Sequence, residues 1–390
     1  MRSKTFIVAT AVVLLQACAT PGTQRAVISK AQTDAEAATQ MRMAAQDLVE
    51  DTARVQRVFW RLVSKGASLC KEKAAGFGFY ALNPAKGDMG EAVASLYGVK
   101  THPTLVAAFD DSPAQRAGLL ARDAILSISD AELGEPKDLA DRLSAARAGA
   151  PLELGIERAG QRVKTSIIPE AVCAYQVSMI DDPSLNAAAD GKRVVITRAM
   201  VAFTRNDEEL ALVLAHEIAH NAMGHIDSKR QNAATGLLAD VALAVLTRGA
   251  YRQSAISNAA GAAYSQEFEA EADYVGLYVM ANAGYSIQDV PKFWRRMATA
   301  YPASIKGSHA STHPSTAYRM VALDEAVKEI DAKNAAHVAL APNMKDGKVS
   351  VPAMASAQTP NGGEWSNEPT LRGYHERGIC AQNPTACNQQ

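Results

Sequence analysis

The sequence carries almost no excess charge of either sign: 40 Lys and Arg stand against 41 Asp and Glu in 390 residues, a formal net charge of −1. That removes the basic field by which proteins hold phosphate backbones. No run of Lys and Arg interleaved with aromatic residues restores it locally, so nucleic acid is excluded as an expected partner. Long apolar runs are missing as well. The stretches at residues 6–15 and 234–246, the second interrupted by Asp240, fall short of the ~20 residues needed to cross about 30 Å of hydrocarbon. Pro and Gly are absent from residues 24–65, where Leu48, Val55, Val58, Phe59 and Leu62 recur at helical spacing. The pattern predicts a long amphipathic helix, its first half thinly apolar and tether-like, its second half, with Phe59 and Trp60, docked on the body. The chain is 48% hydrophobic. It is too long for one small domain, because single cores stop growing near about 250–300 residues, so two folded units with extensions are expected.

Met1-Arg2-Ser3-Lys4, the short apolar stretch and Leu15-Gln16-Ala17-Cys18 form an export signal. The ending resembles a bacterial lipobox, which implies residues 1–17 as a lipoprotein signal peptide and Cys18 as the lipidated first residue of the mature chain. The alternative is an ordinary signal peptide with an incidental Cys. Ala19 in place of Asp points to the outer membrane rather than the inner one, so the expected location is the bacterial periplasm, lipid-anchored. The amphipathic helix completes a segment at 18–73. Four cysteines remain, and in an oxidising compartment the expected pairs are Cys70–Cys173 and Cys380–Cys387, the latter closing a short loop around Asn383-Pro384. Free buried thiols are the alternative.

Residues 74–170 change to short β-like runs separated by turns, a strand-rich module. Ser112-Pro113-Ala114-Gln115-Arg116-Ala117-Gly118-Leu119, followed by Asp123-Ala124-Ile125-Leu126-Ser127-Ile128, resembles the core signature of bacterial PDZ domains, with Arg122 where such domains usually have Gly. The resemblance implies that Gly76, Phe77, Gly78 and Phe79 form a carboxylate-binding loop for C-terminal peptides; a strand of the neighbouring unit is the other reading. The Cys70–Cys173 pair would clasp the neck of this insert. After Asn334 the chain turns polar and poor in periodic apolar residues, so 334–390 is expected to be an extended arm.

His216-Glu217-Ile218-Ala219-His220 is the sharpest chemical feature. Asn206-Asp207-Glu208-Glu209 supplies a cap and acidic first turn, and Leu210, Val213, Leu214 and Ala215 continue an apolar helix. On a helix, His216 and His220 are one turn apart on one face and can share a metal, while Glu217 points about 100° away and can reach a water at the metal's open position as general base. Downstream, Glu267-Phe268-Glu269-Ala270-Glu271-Ala272-Asp273 places Glu269 and Asp273 on one face of a second helix. The two motifs together closely resemble the gluzincin peptidase family of HtpX and the CAAX prenyl proteases over about residues 176–330. That resemblance implies one zinc per chain held by His216, His220 and Glu269, with Asp273 holding a ligand imidazole in its tautomer.

By the same resemblance, Asn186 and the strand bearing Val194, Val195 and Ile196 form an edge along which peptide substrates lie, and Ser311-Thr312-His313-Pro314 with Arg319 matches a His-Pro…Arg motif. His313 has two open roles, a donor to the oxyanion or a removable fourth ligand that keeps the enzyme latent, with capping of a surface helix as the bland reading. His225 reads as a surface or packing residue and not a ligand. Residues 234–263 read as a lid or plug beside the cleft.

The expected fold is α+β: a mostly helical zincin-type metallopeptidase domain at 171–333 with a small edge-strand sheet, plus the inserted β-rich PDZ-like domain. The expected function is zinc endopeptidase action on misfolded or mislocalised envelope proteins. The alternatives are a non-enzymatic PDZ-type quality-control adaptor with a structural metal site and, on the anchor and tail alone, a lipid or envelope-assembly scaffold.

Overall fold

The computed structural model describes residues 23, 26–135, 137–247, 266–300, 313 and 317–345. The signal peptide, Cys18, Cys380, Cys387, the Ala-rich residues 255–263 and the arm beyond residue 345 lie outside the described residues.

Helix α1 (Lys30–Lys65) starts at a capping box in which the Ser29 side chain accepts from Gln32 N–H and the Gln32 side chain accepts from Ser29 N–H, satisfying two of the orphan donors of a helix start. Residues 26–38 are all exposed. From Ala45 onward the apolar stripe is buried, with Val55, Val58 and Leu62 fully covered. The docked half therefore contributes to the core and the first half does not.

After α1 come β1 (Lys73–Gly76), β2 (Phe79–Leu82), α2 (Gly87–Tyr97), β3 (Thr104–Ala108), α3 (Pro113–Arg116), β4 (Ala124–Ile128), β5 (Ala131–Glu132), α4 (Asp138–Ser144), β6 (Leu152–Arg158), β7 (Gln161–Ile167) and β8 (Glu170–Cys173). An antiparallel sheet of order β2-β3-β4-β6-β7, with β5 added against β4, surrounds its own core of Phe77, Leu105, Ile125, Leu154, Ile156 and Ile167. Arg122 takes φ +71°, so the left-handed turn is kept without Gly, and its guanidinium donates to the Leu96 carbonyl. At the neck of this unit, β1 pairs antiparallel with β8 from Lys73↔Cys173 to Gly76↔Glu170. Cys70 and Cys173 are disulfide-bonded there, with Cα atoms 5.5 Å apart, and both are buried. Trp60 of α1 lies against the same neck: a Cβ on Gly76 would meet its ring at 2.9 Å and Val172 at 2.5 Å.

A second sheet has the order β10-β11-β9, from β9 (Gln176–Ile180), β10 (Ala187–Ala189) and β11 (Arg193–Thr197). This order corrects the expectation that Val194, Val195 and Ile196 line an edge. They lie on the central strand, paired parallel to β9 and antiparallel to β10, and Val194 and Ile196 are fully buried. Both sides of β11 are hydrogen-bonded within the sheet; the outer strand on that side is β10, which begins beside Asn186.

The chain continues through α5 (Arg198–Phe203), α6 (Asp207–Met223), α7 (His225–Leu246), α8 (Gln266–Asn282), α9 (Val290–Ala300) and α10 (Ala317–Ala335). Helix α6 is buried from Leu210 to Ala222 and packs against α8, closely enough that a Cβ on Gly276 would stand 3.2 Å from the His216 backbone nitrogen. The first turn of α6 is tied to α1: Arg54 binds the Asp207 carboxylate at 2.8 Å and the Asn206 carbonyl at 2.6 Å. Among the described residues no helix is long and apolar enough to cross a membrane. On α7, Leu237, Leu238, Val241 and Val245 are exposed while Asp240 is buried.

Non-reducing peptide mapping should recover Cys70 linked to Cys173, and replacing both with Ser should lower unfolding stability by about 2–4 kcal/mol in urea titrations, because the link closes a loop of roughly a hundred residues in the unfolded chain.

Candidate metal centre

Asn206 caps α6 by accepting from Glu209 N–H at 2.9 Å, and three acidic residues fill its first turn against the positive end of the helix. One helical turn apart, His216 and His220 then face α8 with their Nε2 atoms 3.1 Å from each other. Glu269 answers from α8, its carboxylate 3.4 Å from His216 Nε2 and 3.5 Å from His220 Nε2. His313 closes the group, with Nδ1 2.9 Å from Glu269 and 3.3 Å from His216 Nε2. The donor atoms of His216, His220, Glu269 and His313 all lie within 4.8 Å of one another.

These separations test whether a metal fits. Four ligands bonded to zinc at about 2.0–2.1 Å form a tetrahedron whose edges are about 3.3–3.4 Å. The five separations given above scatter around that length. Charge agrees with geometry. Glu217, Glu269 and Asp273 are buried together, and Arg319, itself fully buried, is the guanidinium that faces them, so a divalent cation would offset the remaining two negative charges. The residues fit zinc.

Arg319 grips Asp273 through two bonds of 2.7 Å and reaches Glu269 at 2.9 Å. Asp273 in turn lies 3.0 Å from His216 Nδ1, the ring nitrogen turned away from the cluster. Burial opposes charge on His216, but Asp273 and Glu269 outweigh it and raise the imidazole to about 9. Burial holds His220 well below the usual histidine range, helped by His216 and His313 and opposed by Glu269. Burial would raise Glu269 and Asp273, yet His313 and Arg319 hold the first well below the carboxylate range and Arg319 holds the second low. The cluster attracts positive charge at the point on which the four donors converge.

Glu217 is buried beside this point, 3.6 Å from His313 Nε2, and its Oε2 has no hydrogen-bond partner among the described residues. A general base needs such an oxygen. The central strand and α6 are linked by Asn221, which accepts from Gly191 N–H at 2.7 Å and donates to the Arg193 carbonyl at 3.2 Å, fixing the β10–β11 turn against α6.

The structure thus gathers His216, Glu217, His220, Glu269, Asp273, His313 and Arg319 into one site. It leaves Val194, Val195 and Ile196 behind β10, and it places Gly76, Phe77, Gly78 and Phe79 at the neck of the other unit. There Gly76 ends β1, Phe77 is buried, Gly78 has φ +71° and Phe79 opens β2. His225 is not a surface residue: it is buried and lies 2.9 Å from His220. Helical spacing does not predict this contact, because His225 lies more than a turn past His220. Gly224, at φ +72°, breaks the helix between them, and α7 begins at His225. Asn221 and Trp294, whose ring packs edge-on to His216 at 5.5 Å, carried no signal beyond an ordinary helical position.

Comparison with known proteins agrees with this chemistry. Residues 155–327 match the model of Peptidase family M48. Enzymes of that family are zinc-dependent. The mitochondrial metalloendopeptidase OMA1 of Saccharomyces cerevisiae is 30% identical over 159 residues, which cover 37% of this chain and 45% of that protein. The beta-barrel assembly-enhancing protease of Yersinia pestis is 31% identical over 137 residues, 32% of this chain and 28% of that protein. The chain therefore spans less than half the length of these curated relatives. A solved PDZ domain of HtrA3 bound to a phage-derived ligand aligns at 21% identity over 26% of this chain and 89% of that one, with a TM-score of 0.22, too low to argue from. The family match and the relatives' names support a metalloprotease hydrolase.

Glu269→Ala should lower zinc occupancy after dialysis to well under one ion per chain, read by metal analysis, since it removes one of the four converging donors and leaves Arg319 with less negative charge to face. Full retention would move the third ligand elsewhere.

Proposed function

We propose that the chain is a zinc-dependent endopeptidase, and the observation that carries this reading is the buried Glu217 oxygen, without a hydrogen-bond partner among the described residues, beside four donors at tetrahedral spacing. His216, His220 and Glu269 would hold the ion, with Asp273 and Arg319 fixing His216 and Glu269. Zinc, when bound, supplies Lewis acidity to water and to the substrate carbonyl. Glu217 takes the proton of the attacking water at its carboxylate and delivers it to the leaving amine. An extended substrate fits along β10 rather than β11, because main-chain pairing needs an outer strand, and among the described residues β10 is one while β11 is paired on both sides. Asn221 keeps that strand's turn in place.

His313 is read as a removable fourth ligand. A catalytic zinc site keeps an open position, whereas four protein donors close the tetrahedron. With His313 Nδ1 as a fourth donor the arrangement would be a resting one, and His313 would leave when substrate enters. The closed set also favours a second reading, the PDZ-type adaptor whose metal is structural. The two readings part on Glu217, which a structural site does not use.

The wider reading places the enzyme in the bacterial envelope, anchored through lipid at Cys18 and on the outer membrane, where misfolded or mislocalised envelope proteins would be its substrates. Residues 74–170 would act as a PDZ-like insert taking C-terminal peptides. That β2 is an outer strand of its sheet, preceded by the left-handed turn at Gly78, supports this role.

Two substitutions test the core of the proposal. Glu217→Gln should keep one zinc per chain and lose casein cleavage by at least a hundredfold, since the amide preserves shape but cannot accept the proton. Unchanged cleavage would remove the mechanism. His313→Ala should raise casein cleavage while weakening zinc binding. A fall of on the order of a hundredfold with zinc retained would instead assign His313 to the oxyanion, and metal loss without any cleavage in either protein would favour the adaptor.

A further inference from the structure

His220 presents Nε2 to the donor cluster, and its other ring nitrogen, Nδ1, lies 2.9 Å from Nδ1 of His225. His225 Nε2 lies 2.8 Å from Glu271 Oε2. The chain of contacts runs outward from the cluster to a carboxylate that is 41% exposed, through an imidazole that is 1% exposed. His225 stands immediately after Gly224, at the start of α7, and the ring of Phe268 lies against it at 4.7 Å with the planes tilted by 31°. Its ring is therefore held on two edges and one face.

Proton counting along this chain gives it a direction. A carboxylate only accepts, so the proton of neutral His225 sits on Nε2 and is donated to Glu271. That leaves Nδ1 of His225 with a lone pair. Two ring nitrogens 2.9 Å apart form a bond only if one of them carries a proton, so His220 Nδ1–H is the donor. Nε2 of His220 is then the nitrogen with the lone pair, the form a metal requires.

We propose that His225 and Glu271 are positioning residues that hold His220 in its metal-binding tautomer and ring orientation through an imidazole–imidazole–carboxylate chain, an inference that rests on the reading of His220 as a zinc ligand. The two histidine ligands are thereby set by different means. His216 has Asp273 at its outer nitrogen, buried and clamped by Arg319. His220 has a neutral ring there, whose own partner reaches solvent. Neither His225 nor Glu271 belongs to the set of donors that converge on the ion.

The test is zinc affinity of the full chain, measured by competition with a chromophoric chelator, together with the visible absorption of the cobalt-substituted protein and the thermal midpoint of the metal-free form. His225→Phe should weaken zinc binding by about 10–100-fold and alter the cobalt spectrum, with the metal-free midpoint close to that of the parent. His225→Gln, whose carboxamide oxygen can accept from His220 Nδ1–H, should recover most of that loss. Should His225→Phe not fold, Glu271→Leu, at a half-exposed position, decides the matter and should weaken zinc in the same direction. Parental affinity in a folded His225→Phe or Glu271→Leu would overturn the proposal while leaving the metal site standing, as would equal losses in His225→Phe and His225→Gln, which indicate packing alone. A parent chain that takes up no zinc would overturn both readings.

Discussion

Burial of like charge is the constraint on which the rest of the site depends. Glu217, Glu269 and Asp273 are withdrawn from water in one small volume, and a lone buried carboxylate is tolerated only when a cation or several donors face it. Arg319 meets the two on α8 from a different helix, so it fixes the distance between α8 and α10 as well as the charge. Removing one partner from such a buried pair costs about 3–5 kcal/mol, because the other charge is left without compensation. Trp294 lies under the guanidinium at 4.8 Å and restricts its plane. The packing of three helices is thus set by an electrostatic requirement at their common centre.

The close approach of α6 and α8 follows from small residues where the helices cross. Gly276 permits contact with the His216 backbone, and Ala215, Ala219 and Ala272, all fully buried, leave room for the histidines and carboxylates to fill the space between the helices. A larger residue at 276 would move Glu269 away from both imidazoles. Local sequence and the geometry of the centre are linked through this contact, not through the motif residues alone.

Long-range ties hold this arrangement to the remainder of the chain. The docked half of α1 packs on the helical core, its Arg54 fixes the first turn of α6, and its Trp60 covers the neck where β1, β8 and the Cys70–Cys173 link join the strand-rich unit. The strand-rich unit has a core of its own, and β1 and β8 carry the chain into and out of it.

The amino-acid sequence alone determined the parts that depend on local geometry. A helical repeat of 3.6 residues puts His216 and His220 on one face and rotates Glu217 away, whatever the helix later packs against, and the same repeat aligns Glu269 with Asp273. The expectation of a strand-rich module followed by a helical one is likewise a matter of period and turn residues. Only the tertiary structure decided which strand is outermost, because β11 reads the same with one neighbour or two, and the partners β9 and β10 are chosen by hydrogen bonds between distant segments. It also decided that His225 is a neighbour of His220, since the left-handed residue Gly224 ends one helix and precedes the next, so helical counting does not carry across it. And it decided that His313 stands beside Glu269, 2.9 Å from its carboxylate, a closeness in space that the 43 intervening positions do not encode.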